Sequence, residues 1–151
     1  MDVEEGLDTG GVYACAEVPI GPYTTADELR AQLVEVGTPL LVDTLRNGLG
    51  RPTPQSGETT YADKIDPAEL EIDWTRPSAE IDRLVRVGGA WTTFAGRRLK
   101  VWRVGADGPV RVPTGDGSLA LVEVQPEGKP RMAAGDWARG ARVGAELELP
   151  S

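Results

Sequence analysis

The hydrophobic pattern of this chain changes at Gly88, and this change constrains the fold more than any other feature. Beyond it, the runs AWTTFAG, RRLKVWRV, VRVPTGDG and SLALVEVQPEG are short and β-rich, and Gly, Asp and Pro separate them. Short strands with a turn signal roughly every ten residues are typical of small barrels and curled sheets. AAGDWARG predicts a short helix after these strands, and AELEL predicts a last strand. The second half should therefore form a small β-barrel or a curled sheet.

Helical spacing dominates before Gly88. Thr25 and Glu28 match a capping box at the start of a helix that Gly37 is expected to end. A second helix is predicted over TPLLVDTLRNG, because its leucines share one face and Asn47–Gly48 is a typical C-terminal stop. LGRPTPQSG follows, and its Pro and Gly content predicts a linker.

Other segments of the first half have weaker patterns. Val12–Ile20, the run VYACAEVPI, predicts a strand in which Cys15 is a small buried hydrophobe. One strand and two helices make a poor independent domain, because the strand has no sheet neighbours. A helical turn is predicted after Pro67. Thr75 is expected to cap a helix that runs through Val87, with Ile81, Leu84 and Val85 on its inward side.

The chain has no histidine and a single cysteine among its 151 residues. Because histidine is the commonest general base at neutral pH and the commonest metal ligand, we expect neither a complete hydrolase or transferase site nor a metal site. A lone cysteine cannot form an internal disulfide, which fits a reducing cytosol. No apolar run reaches the ~20 residues of a membrane span, and from the acidic start MDVEEGLD we expect neither a signal peptide nor a transit peptide. We expect a cytoplasmic location without membrane contact.

The net charge of -8 is unevenly distributed along the chain. Residues 1–75 contain 15 acidic and 4 basic residues, whereas residues 76–151 contain 9 acidic and 12 basic residues. Such asymmetry between halves indicates more about an anionic partner than the total charge does. The second half could bind phosphate groups, and the first half could not.

Eight short strings occur in a specific order: GLDTG, TYADKI, EIDW, GAWT, LKVW, TGDG, LVEVQPEGKPRM and DWARG. In this order they resemble methionyl-tRNA formyltransferases. The resemblance implies an α+β chain in which a remnant of a Rossmann-like formyltransferase domain, with one strand and two helices, precedes a small OB-like β-barrel. Residues 1–49 would be the end of the catalytic domain, residues 50–74 a linker, and residues 75–151 a C-terminal OB-like tRNA-binding domain.

The resemblance also implies a reaction. The family transfers a formyl group from 10-formyltetrahydrofolate, without a metal, to the amino group of initiator Met-tRNA in translation initiation. Its catalytic aspartate lies in the GLDTG string, which gives that role to Asp8, although the string taken alone favours a tight turn with Asp8 at its tip. The family's catalytic asparagine and histidine, and most of its folate pocket, belong to a segment that these residues do not include.

The chain is therefore expected to be inactive alone. It would act as a non-catalytic tRNA-binding module or as the complementing half of a split enzyme, with a separate catalytic half as its partner. A poorly folded remnant is a third alternative. No DNA partner is expected.

Basic residues of the linker string and of the second half are the candidate tRNA contacts, since Lys and Arg can bind phosphates without reading sequence. Lys129 and Arg131 are favoured because they lie in a matched string. The alternative for all of them is an ordinary solvated face, and for Lys64 an ion pair with Asp63 or Asp66. The candidates are Lys64, Arg83, Arg86, Arg97, Arg98, Lys100, Arg103, Lys129 and Arg131.

Two other motifs have a structural and a functional interpretation. The four tryptophans could stack on bases, but their apolar neighbours favour core packing; they are Trp74, Trp91, Trp102 and Trp137. TGDG, residues 114–117, favours a β-turn over a phosphate loop, because it lacks the trailing Lys and Ser/Thr of a P-loop.

The barrel departs from the family pattern between LKVW and TGDG. Only RVGADGPVRVP separates these strings, where family members usually carry a longer passage that includes a PG-containing strand. The barrel is therefore expected to be incomplete by a strand or hairpin. An edge strand left open in this way could pair with another chain.

Overall fold

The computed structural model describes residues 1–149. The chain divides into two compact units, Met1–Asp63 and Lys64–Ser151. Helices occur together with one antiparallel sheet, which confirms the expected α+β class. No helix among the described residues is long and apolar enough to cross a membrane.

The first unit is built on a single helix, α1, which spans Ala26–Arg46. The predicted capping box is confirmed: the Thr25 hydroxyl oxygen accepts from the Glu28 N–H at 3.2 Å, and the Glu28 carboxylate accepts from the Thr25 N–H at 2.9 Å. The predicted end is also confirmed, because Asn47 is the C-cap and Gly48 follows with a φ of 83°.

The prediction of two helices in this region is wrong. Helix α1 runs through both Gly37 and Pro39 without interruption over its 21 residues. A helical Gly costs only about 1 kcal/mol relative to Ala, and the good helix formers on both sides outweigh that cost. Pro39 removes one backbone hydrogen bond, but none of the residues of α1 is buried, so water can reach the carbonyl that loses its donor.

Val12–Ile20 is not a strand, which corrects the prediction from its apolar pattern. Val12 forms only an isolated antiparallel bridge with Thr53, with N–H to carbonyl distances of 2.8 and 2.9 Å. A strand needs a neighbour for its remaining backbone groups, and residues 1–63 contain no strand. Cys15 is consequently exposed rather than buried.

The second unit is an antiparallel sheet with two helices. Its strands are β1 (Trp91–Phe94), β2 (Arg97–Gly105), β3 (Val110–Thr114), β4 (Gly117–Pro126) and β5 (Met132–Ala133). A turn of 3₁₀ helix (Pro67–Leu70) and helix α2 (Ser78–Val87) precede the sheet, and helix α3 (Ala134–Ala141) follows it. The four predicted β runs, the turn after Pro67 and the helix in AAGDWARG are confirmed.

Strand β4 organises this sheet, whose order is β1-β2-β4-β3. Strand β2 pairs with one side of β4, while β3 and then β5 pair with its other side. Within residues 1–149, β1 and β3 do not pair with each other, so the sheet is a curled half-barrel. This agrees with the small, incomplete OB-like barrel that the sequence predicts.

Each outer edge of the sheet meets a backbone segment of the same unit. At β1, the Ile72 N–H donates to the Trp91 carbonyl at 2.8 Å. At β3, the Arg111 N–H donates to the Ala145 carbonyl at 2.8 Å, and the Leu147 N–H donates to the Arg111 carbonyl at 2.9 Å. The predicted last strand in AELEL is only an isolated bridge between Glu146 and Arg111, because both of these backbone hydrogen bonds to β3 are made by Arg111. At these positions the edges are covered rather than open.

The core of the second unit lies between the sheet and its two helices. Ile81 and Val85 of α2 point into it, as their helical spacing predicts. Trp137 of α3 packs edge-on against Phe94, with ring centroids 5.1 Å apart. The sheet contributes mainly Leu99, Val101, Val110, Val112, Leu121 and Val124.

Helix α2 begins at Ser78, and its cap comes from a distant turn. The prediction that Thr75 caps this helix is wrong, since the Thr75 hydroxyl donates to Asp73 at 2.6 Å. Instead, Asp116 Oδ1 accepts from both the N–H and the hydroxyl of Ser78 at 2.8 Å, which lowers the pKa of Asp116. The turn can come this close because Gly115 has no side chain: a Cβ there would lie 2.0 Å from the Thr75 carbonyl oxygen. TGDG is thus a β-turn, as predicted.

The connection between β2 and β3 crosses β4 within residues 106–109. Strand β2 ends opposite Ala120, and β3 begins opposite Leu121 on the other side of β4. The crossing is close: a Cβ on Gly108 would lie 2.9 Å from Ala120 Cβ and 3.0 Å from the Leu121 carbonyl oxygen. The Arg111 guanidinium holds the crossing by donating to the Ala106 carbonyl at 2.6 Å.

We expect Asp116→Ala to lower the melting temperature at neutral pH, because it removes the acceptor that caps α2. The pKa of Asp116 is lowered in the folded chain from its usual 3.8, chiefly by the bond from the Ser78 N–H. The ionised carboxylate therefore adds its full stability above pH 3.8, the pKa of the unfolded group, and this contribution is lost as the pH falls through the lower pKa of the folded chain. Circular-dichroism melts should show a full difference between wild type and variant at neutral pH and a shrinking one in acid.

Asp116→Asn is the control for this prediction. An Asn oxygen still accepts from the Ser78 N–H, so this variant should stay close to wild type in melting temperature while losing the pH dependence. An effect of Asp116→Ala that is equally large in strong acid would contradict the role of the charge.

We expect Gly108→Ala to destabilise the second unit by about 1–3 kcal/mol, because its Cβ would overlap β4. Gly140→Ala is the matched control, since Gly140 lies in α3 and no atom lies within 4 Å of its added Cβ. There, Ala should stabilise by up to about 1 kcal/mol as the better helix former. Denaturant unfolding measures both changes in the free energy of unfolding. If Gly108→Ala changed it as little as Gly140→Ala does, the crossing would tolerate a side chain and the prediction would be wrong.

Candidate nucleic-acid interface

Alternation along β2 separates an apolar side of the strand from a polar side. Leu99 and Val101 are buried in the core. Arg98, Lys100 and Trp102 occupy the alternate positions, and none of them is buried. Because successive side chains of a strand point to opposite faces, the string RRLKVW places two cations and an indole on one outer face.

Neighbouring segments add to this outer face. Trp91 of β1 and Gln125 of β4 both lie opposite Lys100 in the strand register. Arg131, just before β5, reaches Trp102 from the other direction. We call this surface the basic–aromatic face; it consists of Trp91, Arg98, Lys100, Trp102, Gln125, Lys129 and Arg131.

Three cations of the basic–aromatic face lie over indole rings. The guanidinium carbon of Arg98 is 4.1 Å from the ring centroid of Trp91. The guanidinium carbon of Arg131 is 3.3 Å from the centroid of Trp102, and Lys100 Nζ is 5.7 Å from the same centroid. All three distances are within the ~6 Å at which the ring quadrupole attracts a cation. The indoles therefore concentrate positive charge on one side of the sheet.

Gln125 links the indole to the loop that carries Lys129. Its Oε1 accepts from Trp102 Nε1–H at 3.0 Å, and its Nε2–H donates to the Lys129 carbonyl at 2.9 Å. The Lys129 N–H in turn donates to the Pro126 carbonyl at 3.0 Å, which closes the turn after β4. The backbone of the PEGK turn is thus tied to β2 through a side-chain amide.

A cavity of about 300 Å³ adjoins the basic–aromatic face. Arg97, Arg98 and Lys129 are among its basic lining residues, and Phe94 and Trp137 are among its apolar ones. Two acidic residues, Glu127 and Asp136, also line it, so its charge is mixed. Such a cavity could accept an anionic group next to a planar apolar one.

The structure brings four of the predicted contacts together on one face: Arg98, Lys100, Lys129 and Arg131. Arg97 lines the adjoining cavity.

The other predicted contacts lie elsewhere. Arg83 and Arg86 are on α2, where Arg83 Nε–H donates to the Ala79 carbonyl at 3.2 Å and Arg86 pairs with Asp82 at 2.9 Å. Arg103 lies opposite Glu123 at an irregularity in the β2–β4 pairing.

Lys64 is exposed at the start of the second unit.

The tryptophans divide into two classes. Core packing is confirmed for Trp74 and Trp137, which are 4% and 6% exposed. It is wrong for Trp91 and Trp102, which are half-buried beneath cations on the outer face. Period-two alternation with the basic residues of RRLKVW could have identified Trp102. Gln125 gives no such signal, because its role depends on strand register.

Asp8 lies in an exposed turn of the first unit and has a φ of 55°. Gln55 Nε2–H donates to the carbonyls of Asp8 and Gly10, at 2.7 and 2.8 Å. The Thr9 hydroxyl donates to the Gly6 carbonyl at 3.1 Å within the same turn. These contacts hold the backbone of GLDTG, and none of them involves the Asp8 carboxylate.

Metal ligation has no obvious location in the part of the chain that the structure describes. Within residues 1–149, no group of three or more His, Cys, Asp or Glu side chains is placed to hold a metal ion.

Relatives of known identity match this chain over most of its length. Residues 64–142 match the formyl transferase C-terminal domain family. The methionyl-tRNA formyltransferase of Corynebacterium glutamicum is 38% identical over 172 aligned positions, which cover 97% of this chain and 55% of the relative. That of Symbiobacterium thermophilum is 41% identical over 99% of this chain and 55% of its own length. The chain thus spans about half the length of the curated relatives it matches.

Solved structures share the fold at low identity. HypX from Aquifex aeolicus superimposes with a TM-score of 0.71 at 17% identity, over 97% of this chain and 30% of HypX. A second HypX structure, in complex with tetrahydrofolic acid, gives a TM-score of 0.69 at 15% identity, over 96% of this chain and 30% of HypX. These two likenesses show the fold alone, and the family rests on the match of residues 64–142 to the C-terminal domain family. The chain therefore belongs to the formyl transferase family, whose C-terminal domain it carries, and is similar to the C-terminal portion of methionyl-tRNA formyltransferases.

Proposed function

We propose that this chain supplies tRNA binding for the formylation of initiator Met-tRNA, and that the basic–aromatic face is where the tRNA binds. The clustering of Arg98, Lys100 and Arg131 over two indoles, with the backbone of Lys129 bonded to Gln125 beside them, carries this proposal. Its support at the family level comes from relatives that are methionyl-tRNA formyltransferases.

The charge distribution of the chain favours this location. Residues 76–151 hold 12 of the 16 basic residues, and four of them lie on the basic–aromatic face. Lys and Arg that contact phosphates release condensed counterions, so binding of this kind weakens steeply with salt. Such contacts position an RNA without reading its sequence. The face would therefore orient the tRNA, and the choice of the initiator would rest on other contacts.

The chemical step is proposed to need groups that these 151 residues do not contain. By resemblance Asp8 is the catalytic aspartate, which would orient a histidine, but the chain contains no histidine. The residues around Asp8 do not fit 10-formyltetrahydrofolate either, since the turn is exposed and residues 1–63 contain no strand to build a folate pocket. We therefore assign no step of formyl transfer to this chain alone.

The first unit favours a complementing half over an isolated tRNA-binding module. Leu33, Leu41 and Leu45 of α1 are each more than half exposed, at 51%, 61% and 59%. Exposed apolar side chains on one helix indicate a surface that packs against further protein. A separate catalytic half with the missing asparagine and histidine would supply that protein.

We expect the double variant Lys129→Glu, Arg131→Glu to bind a tRNA transcript about tenfold or more weakly at low salt. The slope of log Kd against log salt should also fall by about 2, because two phosphate contacts are lost. Fluorescence anisotropy with a labelled tRNA transcript measures both quantities.

The matched control reverses the charge of two exposed arginines of the same unit, by Arg76→Glu and Arg142→Glu. It changes the net charge equally and should leave more of the affinity. Equal losses in the two double variants would indicate a diffuse charge effect and contradict a defined face.

We expect the purified chain to transfer no formyl group from 10-formyltetrahydrofolate to initiator Met-tRNA. Activity should appear when an N-terminal portion of the C. glutamicum relative that contains the family's asparagine and histidine is added. In that mixture, Asp8→Asn should lower the rate by about 10²–10⁴-fold. Asp43→Asn, which changes an exposed carboxylate of α1, should not. The assay measures acid-precipitable formyl-methionyl-tRNA.

Turnover by the chain alone would overturn its proposed inactivity. A mixture that stays inactive although the chain binds tRNA would favour the non-catalytic binding module.

A further inference from the structure

We propose that Trp102 and Gln125 are positioning residues of the RNA-binding surface, which hold Arg131 and the Lys129 turn ready for RNA phosphates. This inference rests on the proposed tRNA-binding function and adds a network of side-chain contacts to it. The network joins three separate segments: β2, the end of β4 and the loop before β5.

Trp102 fixes the guanidinium of Arg131 by stacking. The guanidinium carbon lies 3.3 Å from the centroid of the indole, which is van der Waals contact. Stacking engages the flat face of a guanidinium, whereas its N–H donors point along the plane in a fork that matches phosphate oxygens. An arginine held in this way can donate to phosphate and loses less side-chain freedom when RNA binds.

Gln125 holds the backbone of the second basic residue, Lys129. Both ends of its amide are engaged, since Oε1 accepts from Trp102 at 3.0 Å and Nε2–H donates to the Lys129 carbonyl at 2.9 Å. The orientation of the amide is therefore set by the indole N–H, which is a donor only. Through this chain of contacts, Trp102 helps to position the Lys129 backbone, together with the bond from the Lys129 N–H to the Pro126 carbonyl.

Direct stacking of an RNA base on Trp102 is the competing role for this side chain. The Arg131 guanidinium already lies over the indole, and Lys100 Nζ is 5.7 Å from the same centroid. A base would have to displace a cation that phosphates attract. The geometry thus favours a role in which Trp102 holds cations that bind phosphates over a role in which Trp102 stacks on a base.

A double-mutant cycle on the full chain separates these roles. Kd for a labelled tRNA transcript is measured by anisotropy for wild type, Trp102→Leu, Arg131→Gln and the double variant over a range of salt concentrations. If Trp102 positions Arg131, Trp102→Leu should weaken binding about threefold to tenfold and lower the salt slope. Arg131→Gln should then cost at most about twofold in the Trp102→Leu background, because its contact is already lost.

Two further variants test the same network. Trp102→Phe keeps an aromatic face but lacks the indole N–H. In this background, Arg131→Gln should still weaken tRNA binding as it does in the wild type, whereas Gln125→Met should have little further effect, because the bond from Trp102 to Gln125 is already lost. Trp91→Leu is the matched control, because Trp91 lies on the same face and contacts Arg98 instead. Its effect should add to that of Arg131→Gln. Thermal melts of each variant check that the fold is kept.

Additive effects of Trp102→Leu and Arg131→Gln, with an unchanged salt slope, would overturn the positioning role and indicate base stacking. If the wild-type chain binds tRNA but the cycle is additive, the positioning role of Trp102 and Gln125 is refuted and the proposed tRNA-binding function is not. A wild-type chain that fails to bind tRNA even at low salt refutes the proposed function and the positioning role together.

Discussion

Pairing on both sides of β4 is the constraint on which the second unit depends. Because β2 occupies one side of this strand and β3 the other, the chain must cross β4 between them within residues 106–109. Gly108 permits the close approach, and Arg111 holds the crossing by its bond to the Ala106 carbonyl. A barrel with a longer passage here would not need such a close crossing. The short connection is thus compatible with an ordered half-barrel.

The same sheet produces the candidate site. Register with β4 places Gln125 opposite Lys100, and the turn that ends β4 brings Lys129 back towards that amide. Burial of Leu99 and Val101 fixes which way the alternate residues of β2 point. The cations are therefore clustered by the packing of the core, and the indoles reduce the repulsion between Arg98, Lys100 and Arg131 by binding each of these three cations over a ring.

Local patterns predict much of this fold, and they fail where distant residues decide. The period-two runs and the spacing of Ile81 and Val85 predict the strands and α2, because burial of one face governs each element. The cap of α2 could not be predicted, since Asp116 lies 38 residues from Ser78 and Thr75 offers a local alternative. In the candidate site, Lys129 and Arg131 were identifiable from their string, whereas the contacts of Trp102 and Gln125 depend on strand register.

Binding and chemistry have different requirements in this chain. Among the described residues, the contacts of the basic–aromatic face lie within the second unit, and so do the residues of the hydrophobic core, such as Ile72 and Trp74. Asp8 lies in the first unit, where a single helix buries none of its residues. A carboxylate can orient a histidine only if that histidine is held at a fixed distance. The proposed tRNA binding can therefore persist in a chain of this length, while the proposed chemistry depends on further protein that packs against the first unit.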